Sequence, residues 1–443
     1  MICETSSDAQ IRKKLDDLSV SAPDYWSYSG RAARRCAHDY FQYPAMMVPD
    51  MLSDLIRVIS GSDQNIHTVY DPFAGSGSVL TETMLLGLDF IGRDINPLAV
   101  LLCKAKMGPF RAEQLEDKLD DVLAFVESDD LYRREADFPG LRKWFEANTI
   151  NELSKLRRAI RAEPALWARR FFWVALAETV RRTSNSRTST FKLHIRTPKD
   201  IQSRSLSALR TFEEVALQNI GRLDEQSIVL GQQQLLKRSE YKGRIEVSLR
   251  SAEAVVRGRQ FDLLVTSPPY GDNTSTVSYG QYSYLPLQWI DLADIHSRAD
   301  NTFLGSTHEI DKRSLGGIKK AAFDGTDNLR RISPAFSHAL ECLRDCPPDR
   351  RARVAAFCRD LHRCIQPILG SLRKNAYMVW VIGNRCVGGQ EIPMVRIVFE
   401  FLTSNGAVPV VTIKRLIPTK RMALKNNVSQ TMCKEAILIF RRK

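Results

Sequence analysis

The chain has 443 residues, 44% of them hydrophobic, which is enough to bury a large core and to form one catalytic domain with an accessory region. Lys and Arg outnumber Asp and Glu by 64 to 51, and the net charge of +13 favours a polyanionic partner. The nine cysteines lack the Cys-x-x-Cys spacing of zinc sites, which predicts reduced thiols and no metal. The polar N-terminus and the lack of an apolar run near ~20 residues predict a soluble, cytoplasmic protein.

The N-terminal part of the chain predicts an arm followed by half of an α/β sheet. Residues 1–34 are polar and contain a small Arg cluster, so we expect an N-terminal arm. Residues 35–107 alternate strand-like and helix-like stretches, as one half of a doubly wound sheet does. From 108 to 243 apolar residues recur at helical spacing and strand-like runs are few, which predicts a helical insertion.

A strand that ends in a glycine turn marks the first candidate binding site. This predicted strand runs into Asp71-Pro-Phe-Ala-Gly-Ser-Gly77, and the apolar stretch 79–88 predicts the following helix. About twenty residues further on, a second predicted strand ends at Asp94, a spacing that suits a carboxylate on a ribose. Position 80 is Leu, so the three-glycine dinucleotide fingerprint is incomplete. A ligand with a ribose but no phosphates fits better, and S-adenosylmethionine is the candidate.

The sheet pattern resumes after the helical insertion. Strands are predicted over 244–249 and 261–266, and a polar stretch from 271 to about 349 is long enough to be a functional loop or cap. A continuous apolar strand is predicted over 376–383. The segments 408–416 and 435–440 predict a terminal hairpin.

The tetrapeptide Ser267-Pro-Pro-Tyr270 lies directly after the predicted strand 261–266. Two consecutive prolines cannot continue a sheet, because neither has an N–H for the ladder. Their carbonyl groups are therefore left free at the end of the strand, where open α/β sheets bind ligands. These carbonyls and the Ser267 hydroxyl can accept hydrogen bonds from an –NH2 group, while Tyr270 offers a stacking face. The pattern predicts chemistry on the exocyclic amine of a planar base.

With these motifs in this order, the chain resembles the amino-group DNA methyltransferases, which modify cytosine at N4 or adenine at N6. The segment from His38 to Pro49 is similar to the element that precedes the glycine turn in that family and packs on the methionine part of the cofactor. The resemblance implies an α/β, Rossmann-like, seven-stranded and mostly parallel sheet with a helical insertion. A cofactor-binding half over 35–107 and a catalytic half over 244–443 would form it.

The resemblance also assigns site residues. The catalytic residues that it implies are Ser267, Pro268, Pro269 and Tyr270. The residues that it implies for binding S-adenosylmethionine are Phe41, Tyr43, Pro44, Asp71, Pro72, Phe73, Gly75, Gly77 and Asp94. One position departs from the family, because the acid expected after the third strand is missing at 250–252; Glu253 is the candidate substitute.

The mechanism implied by the resemblance begins with the target amine. Ser267 and the Pro268 carbonyl would accept its two N–H groups and localise the nitrogen lone pair for attack on the sulfonium methyl, while Tyr270 stacks on the flipped base. Ser in the first position is more typical of N4-cytosine enzymes and Asp of N6-adenine enzymes. We therefore expect site-specific methylation of cytosine N4 in double-stranded DNA, alongside a restriction endonuclease. The alternatives are an N6-adenine DNA methyltransferase, an RNA guanine-N2 methyltransferase and a non-catalytic nucleic-acid-binding protein.

Two further groups of residues are candidates for DNA contact. In the insertion, which is the candidate target-recognition region, basic residues interleaved with Ser and Thr suit phosphate contacts. These residues are Arg181, Arg182, Arg187, Lys192, Arg196 and Lys199. A second basic strip comprises Lys414, Arg415, Lys420, Arg421 and Lys425. The aromatic group Tyr279, Tyr282, Tyr284 and Trp289 predicts either base stacking or a packed lid.

Overall fold

A computed structural model describes residues 4–22, 24–29, 35–273, 275–318, 320–417 and 434–443. Its strands, numbered in chain order, are β1 Thr68–Asp71, β2 Asp89–Asp94, β3 Leu236–Lys237, β4 Glu240–Tyr241, β5 Ile245–Leu249, β6 Phe261–Thr266, β7 Leu372–Gly383, β8 Arg385–Val387, β9 Gln390–Ile392, β10 Val408–Leu416 and β11 Lys434–Arg441. Seven of them form one sheet in the order β10-β11-β7-β6-β1-β2-β5, and β3-β4 and β8-β9 form two small pairs.

The sheet is parallel except at β11. β1 is parallel to β2 and β6, β2 to β5, and β6 to β7. β11 lies antiparallel between β7 and β10, with Glu435 opposite Gly383 on one side and Arg415 on the other. The predicted seven-stranded, mostly parallel, Rossmann-like α/β fold is therefore confirmed, including the terminal hairpin. Since the parallel strands share a direction, their carboxyl ends meet at one edge, where open sheets of this type bind ligands.

The helices, again in chain order, are α1 Ser6–Ser21, α2 Pro49–Ser60, α3 Ser78–Leu85, α4 Pro97–Lys106, α5 Ala112–Ser128, α6 Leu141–Trp144, α7 Ala147–Ala162, α8 Leu166–Thr183, α9 Pro198–Gln202, α10 Ala208–Gln232, α11 Tyr279–Trp289, α12 Leu292–Ile295, α13 Glu309–Arg313, α14 Thr326–Ile332, α15 Pro334–Cys342, α16 Pro348–Gly370 and α17 Met394–Ser404. Residues 108–243 thus contain six helices and only the short β3-β4 pair. The stretch 271–349 contains α11 to α15. In the part of the chain that the structure describes, no helix combines the length and the apolar character needed to span a bilayer.

Helices cover both faces of the sheet, so each strand buries alternate side chains on opposite sides. In β7, Tyr377, Val379 and Val381 join the larger core, which includes α2, α3, α4 and the helices of the insertion. Met378, Trp380 and Ile382 join the second core, formed with α15, α16 and α17. The buried face of α2 contains Met51, Leu52, Leu55, Ile56 and Ile59. Burial of each such side chain stabilises the fold by ~1.5–3 kcal/mol.

Residues 6–21, expected to lie in an N-terminal arm, form α1, which belongs to the core. Ile11 and Leu15 are fully buried. The capping residue Thr5 accepts a hydrogen bond from the backbone N–H of Asp8, and the Asp8 carboxylate pairs with Arg441 of β11 at 3.0 Å. The helix is therefore attached to the sheet by an ion pair as well as by apolar packing.

Candidate active site

A cavity opens at the carboxyl ends of β1, β2 and β6. Its walls include the glycine turn from Pro72 to Ser76 after β1, residues 94–96 after β2, and Ser267 with Pro269 after β6. Tyr43, Pro44 and residues 45–47 line another side. Most of the predicted cofactor residues therefore share one cavity with two of the four predicted catalytic residues.

Asp71 anchors the glycine turn from beneath the cavity. It is fully buried, and its Oδ1 accepts hydrogen bonds from the Phe73 backbone N–H at 3.0 Å and from Thr266 Oγ1 at 2.6 Å. Among the described residues, no group hydrogen-bonds to its Oδ2. Burial raises the pKa of Asp71 to about 7. The side chain is therefore a structural anchor whose second oxygen would be satisfied by a cation or an N–H donor.

Glycine is required at two positions of the turn. Gly75 and Gly77 have φ values of +51° and +78°, which L side chains rarely adopt. A Cβ on Gly77 would also lie 3.0 Å from Cys103 Sγ. Gly75 lines the cavity, whereas Gly77 begins α3 next to α4 and is not part of the cavity wall. Gly77 therefore shapes the turn instead of contacting a ligand.

Asp94 connects the end of β2 to the glycine turn. Its Oδ2 accepts from the Gly75 N–H at 2.9 Å, and its Oδ1 accepts from the Asn96 N–H at 2.8 Å. Burial raises the pKa of Asp94 to about 6. The carboxylate also lines the cavity, at the place predicted for a ribose contact. It therefore holds the turn and faces the cavity at the same time.

Of the aromatic residues predicted to pack on the cofactor from the segment before α2, Tyr43 lies on the cavity wall and Phe41 does not. Tyr43 lines the cavity and accepts a hydrogen bond from Asn96 Nδ2 at 3.0 Å, an interaction that the sequence did not indicate. Phe41, predicted to bind the cofactor, is 3% exposed, is absent from the cavity wall and packs edge-on against Tyr282 at 5.9 Å. Phe41 therefore packs in the interior, because Tyr282 of α11 lies against its ring.

The catalytic turn after β6 is held by hydrogen bonds to β7 and β11. Ser267 Oγ lies 3.1 Å from the Val381 carbonyl and 3.2 Å from the Tyr270 hydroxyl. The Tyr270 hydroxyl donates to Glu435 Oε1 at 3.2 Å, and burial holds the pKa of Tyr270 well above its usual value. Ser267 and Pro269 line the cavity, whereas Pro268 and Tyr270 are not part of its wall. The Tyr270 hydroxyl is thus held between Ser267 and Glu435, and the residue is half-buried.

Residues of the 271–349 stretch close the cavity from the side opposite the glycine turn. Asn273, Tyr279, Ile310 and residues 313–315 belong to the wall, and of these only Tyr279 stood out in the sequence. The Tyr279 and Tyr43 rings are 5.6 Å apart. Asn273 is 4% exposed, and within the described ranges its Oδ1 has no hydrogen-bond partner. The signal in the sequence that Asn273 would lie on the cavity wall was its position three residues after Tyr270.

Other aromatic residues in this stretch pack the interior. Tyr282, Tyr284 and Trp289 are 9%, 6% and 0% exposed. The Trp289 ring lies 5.7 Å from Phe145, and Tyr284 lies 5.9 Å from Phe138. Of the two interpretations left open by the sequence, the packed one therefore applies to these three residues.

After β5, Ser251 and Ala252 line the cavity, whereas Glu253 is exposed and not part of the wall. Glu253 therefore does not take the place of the missing acid. A ligand at this end of the cavity would contact the hydroxyl of Ser251 in place of a carboxylate.

The basic residues of the insertion divide into two groups. Arg181 and Arg182 both pair with the buried carboxylate of Glu178, at 2.6 and 2.8 Å, and Arg196 donates to the Ser186 carbonyl at 3.2 Å. Arg187, Lys192 and Lys199 are exposed. The first group has intramolecular partners, so the second is better placed to contact phosphate.

The second basic strip is divided as well. Lys414 is exposed, whereas Arg415 is 6% exposed and pairs with Glu435 at 3.5 Å. Lys420, Arg421 and Lys425 lie outside the described residues. Arg415 is therefore not available as a DNA contact.

Residues 50–228 match the family model described as D12 class N6 adenine-specific DNA methyltransferase. The chain is also 28% identical to the Type II methyltransferase M.MvaI of Kocuria varians over 461 residues, which covers 98% of this chain and 96% of that protein. Two solved structures of the rRNA methyltransferase aviRa from Streptomyces viridochromogenes align with 11% and 10% identity and a TM-score of 0.33, over 90% of this chain and 88% of theirs.

A mostly parallel sheet with one antiparallel strand and a cavity at the carboxyl ends of its strands is the arrangement in which open α/β sheets bind ligands. The family match and the relative indicate the class of enzyme to which the chain is similar. Over residues 50–228 the chain is similar to the D12 class N6 adenine-specific DNA methyltransferases, and over nearly its whole length it is similar to a Type II methyltransferase. The cavity suits S-adenosylmethionine, because Asp94 lines it and can accept from ribose hydroxyls.

Proposed function

We propose that this protein methylates an exocyclic amine of a base in duplex DNA at a specific sequence, with Ser267, the Pro268 carbonyl and Tyr270 as the groups that contact the base. The observation that carries this proposal is that Ser267 lines the same cavity as Gly75 and Asp94. An amine bound at Ser267 would therefore be in the same compartment as the methyl donor. Positioning two reactants in this way can contribute up to ~7–11 kcal/mol to lowering the barrier.

The chemistry depends on making the amine nucleophilic. S-adenosylmethionine supplies an electrophilic methyl group on its sulfonium sulfur. Ser267 Oγ can donate its own proton to the Val381 carbonyl at 3.1 Å and still accept an N–H of the amine. The Pro268 carbonyl would accept the second N–H, since Pro269 has no N–H with which to continue the sheet. Both acceptors localise the nitrogen lone pair and draw the nitrogen toward tetrahedral geometry.

Cytosine N4 is our proposed target, because the residue that would accept from the amine is Ser267, the residue more typical of N4-cytosine enzymes at this position. Adenine N6 is the second candidate. The comparisons favour it, since the matched family is described as N6 adenine-specific. That match ends at residue 228, before the catalytic turn, so it bears on the cofactor-binding half and the insertion. A restriction endonuclease acting on the same sequence remains part of the proposal.

Product analysis decides between the two bases. Plasmid DNA incubated with the purified protein and labelled S-adenosylmethionine is digested to nucleosides and examined by mass spectrometry. N4-methylcytosine is the expected product. N6-methyladenine would keep the mechanism and replace the base, whereas label in RNA supplied in a parallel reaction, with none in the DNA, would overturn the proposal in favour of an RNA substrate.

The exposed residues of the insertion are expected to contact DNA phosphates. Replacing Arg187, Lys192 and Lys199 together by Ala should weaken binding to all duplex sequences, because phosphate contacts carry no sequence information. The slope of log Kd against log salt should fall by about 0.9 for each phosphate that the variant no longer neutralises. Fluorescence anisotropy over a range of salt concentrations measures this slope.

A control triple variant removes the same number of charges at the amino ends of the strands, away from the cavity at their carboxyl ends. Lys13, Arg57 and Lys374 are exposed near the amino ends of the strands, where Arg373 pairs with Asp63 at 2.7 Å. Their replacement should leave the salt slope unchanged. Equal slopes in both triple variants would place the phosphate contacts on another surface.

A further inference from the structure

A line of polar contacts leads from the catalytic turn into the antiparallel part of the sheet. Ser267 Oγ lies 3.2 Å from the Tyr270 hydroxyl, which lies 3.2 Å from Glu435 Oε1. The other oxygen of Glu435 lies 3.5 Å from the Arg415 guanidinium, whose side chain is 3% exposed. Each residue therefore contacts the next, from the cavity wall to β10.

The number of protons in this line is limited. Ser267 and Tyr270 each carry one hydroxyl proton, and an ionised Glu435 can only accept. The Arg415 guanidinium lies 3.5 Å from the Glu435 carboxylate and attracts its negative charge. Because the Tyr270 proton points to Glu435, it cannot also point to Ser267. The Ser267 proton then goes to the Val381 carbonyl or to the Tyr270 oxygen, and a lone pair on Ser267 Oγ is left for the substrate.

We infer that Glu435, held by Arg415, is a positioning residue that fixes the direction of these hydroxyl protons and so keeps Ser267 a hydrogen-bond acceptor toward the target amine. This inference rests on the proposed function. Without the carboxylate, Tyr270 would donate to Ser267 and compete with the amine for the lone pair. The role is catalytic in its effect, although Glu435 itself does not line the cavity.

The placement of Glu435 follows from strand pairing. Glu435 follows Tyr270 by 165 residues in the chain and is brought to it by the first residues of β11. In the antiparallel ladder it lies opposite Gly383 of β7 and opposite Arg415 of β10. The alternative is that the pair Glu435–Arg415 serves only to stabilise adjacent strands, as cross-strand pairs of opposite charge do. The test must therefore separate a catalytic effect from a loss of stability.

The variant Glu435→Gln keeps the shape of the side chain and changes its hydrogen bonding. The amide Nε2 can donate to the Tyr270 oxygen, which turns the Tyr270 proton toward Ser267. The rate of methyl transfer in a single turnover is expected to fall about 10- to 100-fold, the range of one misdirected hydrogen bond at a buried site. The Kd values for S-adenosylmethionine and for duplex DNA should change by less than about twofold, because neither surface is altered.

A double variant gives the decisive comparison. Removing the hydroxyl with Tyr270→Phe breaks the line, so Glu435→Gln should have no further effect on the rate in that background. A residue that only stabilises the sheet would lower the melting temperature equally in both backgrounds and would not show this dependence. Glu246→Gln on the edge strand β5, where Glu246 pairs with Arg259, is the matched control for a Glu to Gln change in the sheet.

The outcomes separate this inference from the proposed function. If the wild type methylates DNA and Glu435→Gln is slow only when Tyr270 is present, the inference is supported. If the wild type methylates DNA and Glu435→Gln is equally fast, or equally slow in both backgrounds, the inference is overturned and the proposed function stands. If the wild type transfers no methyl group to DNA, the proposed function fails and this inference fails with it.

Discussion

Replacing Ser267 by Ala is expected to slow methyl transfer by about 10- to 100-fold, which corresponds to a buried hydrogen bond of ~1–3 kcal/mol that matters most in the transition state. The affinity for S-adenosylmethionine should stay nearly unchanged, because Asp94 and the glycine turn contact neither the Ser267 hydroxyl nor its partners Val381 and Tyr270. Single-turnover transfer of a labelled methyl group measures the rate, and titration calorimetry measures the affinity. A Ser267→Ala variant with the wild-type rate would remove Ser267 from the mechanism.

Variants of Tyr270 test whether its ring stacks on the target base. Tyr270→Ala should lose both base binding and turnover, because the ring helps to offset the cost of a few kcal/mol for unstacking a base. Tyr270→Phe keeps the ring and should therefore retain far more activity than Tyr270→Ala. Full activity in Tyr270→Ala would contradict the site, since Tyr270 supplies the only aromatic ring in the Ser-Pro-Pro-Tyr tetrapeptide.

Replacing Asp94 by Ala is expected to abolish measurable binding of S-adenosylmethionine. The change removes the proposed ribose acceptor. It also removes the carboxylate that accepts from the Gly75 N–H at 2.9 Å, so the glycine turn loses this hydrogen bond. For the wild type, a cofactor concentration near 100 times Kd should stabilise the fold by about 2.7 kcal/mol and raise the melting temperature. Asp89→Ala is the control at the other end of β2, where Asp89 accepts from the Arg244 N–H at 2.8 Å. Equal loss of binding in both variants would point to a general effect on the strand.

The pH dependence of cofactor binding follows from the same carboxyl groups. Burial raises the pKa of Asp94 to about 6 and that of Asp71 to about 7, so both are largely protonated at low pH. A cationic ligand with hydroxyl donors favours the ionised forms, and binding is therefore coupled to the release of protons. The affinity for S-adenosylmethionine should therefore rise as the pH increases from about 5.5 to 8. Where the pH lies below the pKa of one of these carboxyl groups, that group contributes up to about a tenfold increase in affinity per pH unit. Asp94→Asn should flatten this rise, and a flat profile in the wild type would contradict the assignment.

The local elements of this protein could be predicted from the sequence because their causes are local. Two consecutive prolines end β6 wherever they occur, since neither can donate to the ladder. Gly75 and Gly77 are needed because the turn has positive φ at both positions. The continuous apolar run in 376–383 predicts a strand buried on both faces, and β7 has that pattern of burial. These features were sufficient for the α/β sheet, its cofactor and its class of chemistry.

What the sequence by itself determined is therefore the sheet, the two motifs at the ends of its strands and the position of the candidate site between them. Only the tertiary structure decided which side chains reach that site. Phe41 lies in the core because α11 covers it, and Arg181 and Arg182 pair with the buried carboxylate of Glu178. Asn273 reaches the cavity wall, and Glu435 reaches Tyr270 across 165 residues of chain. Such contacts depend on strand order and helix packing, which bring distant residues together and which no spacing along the chain encodes.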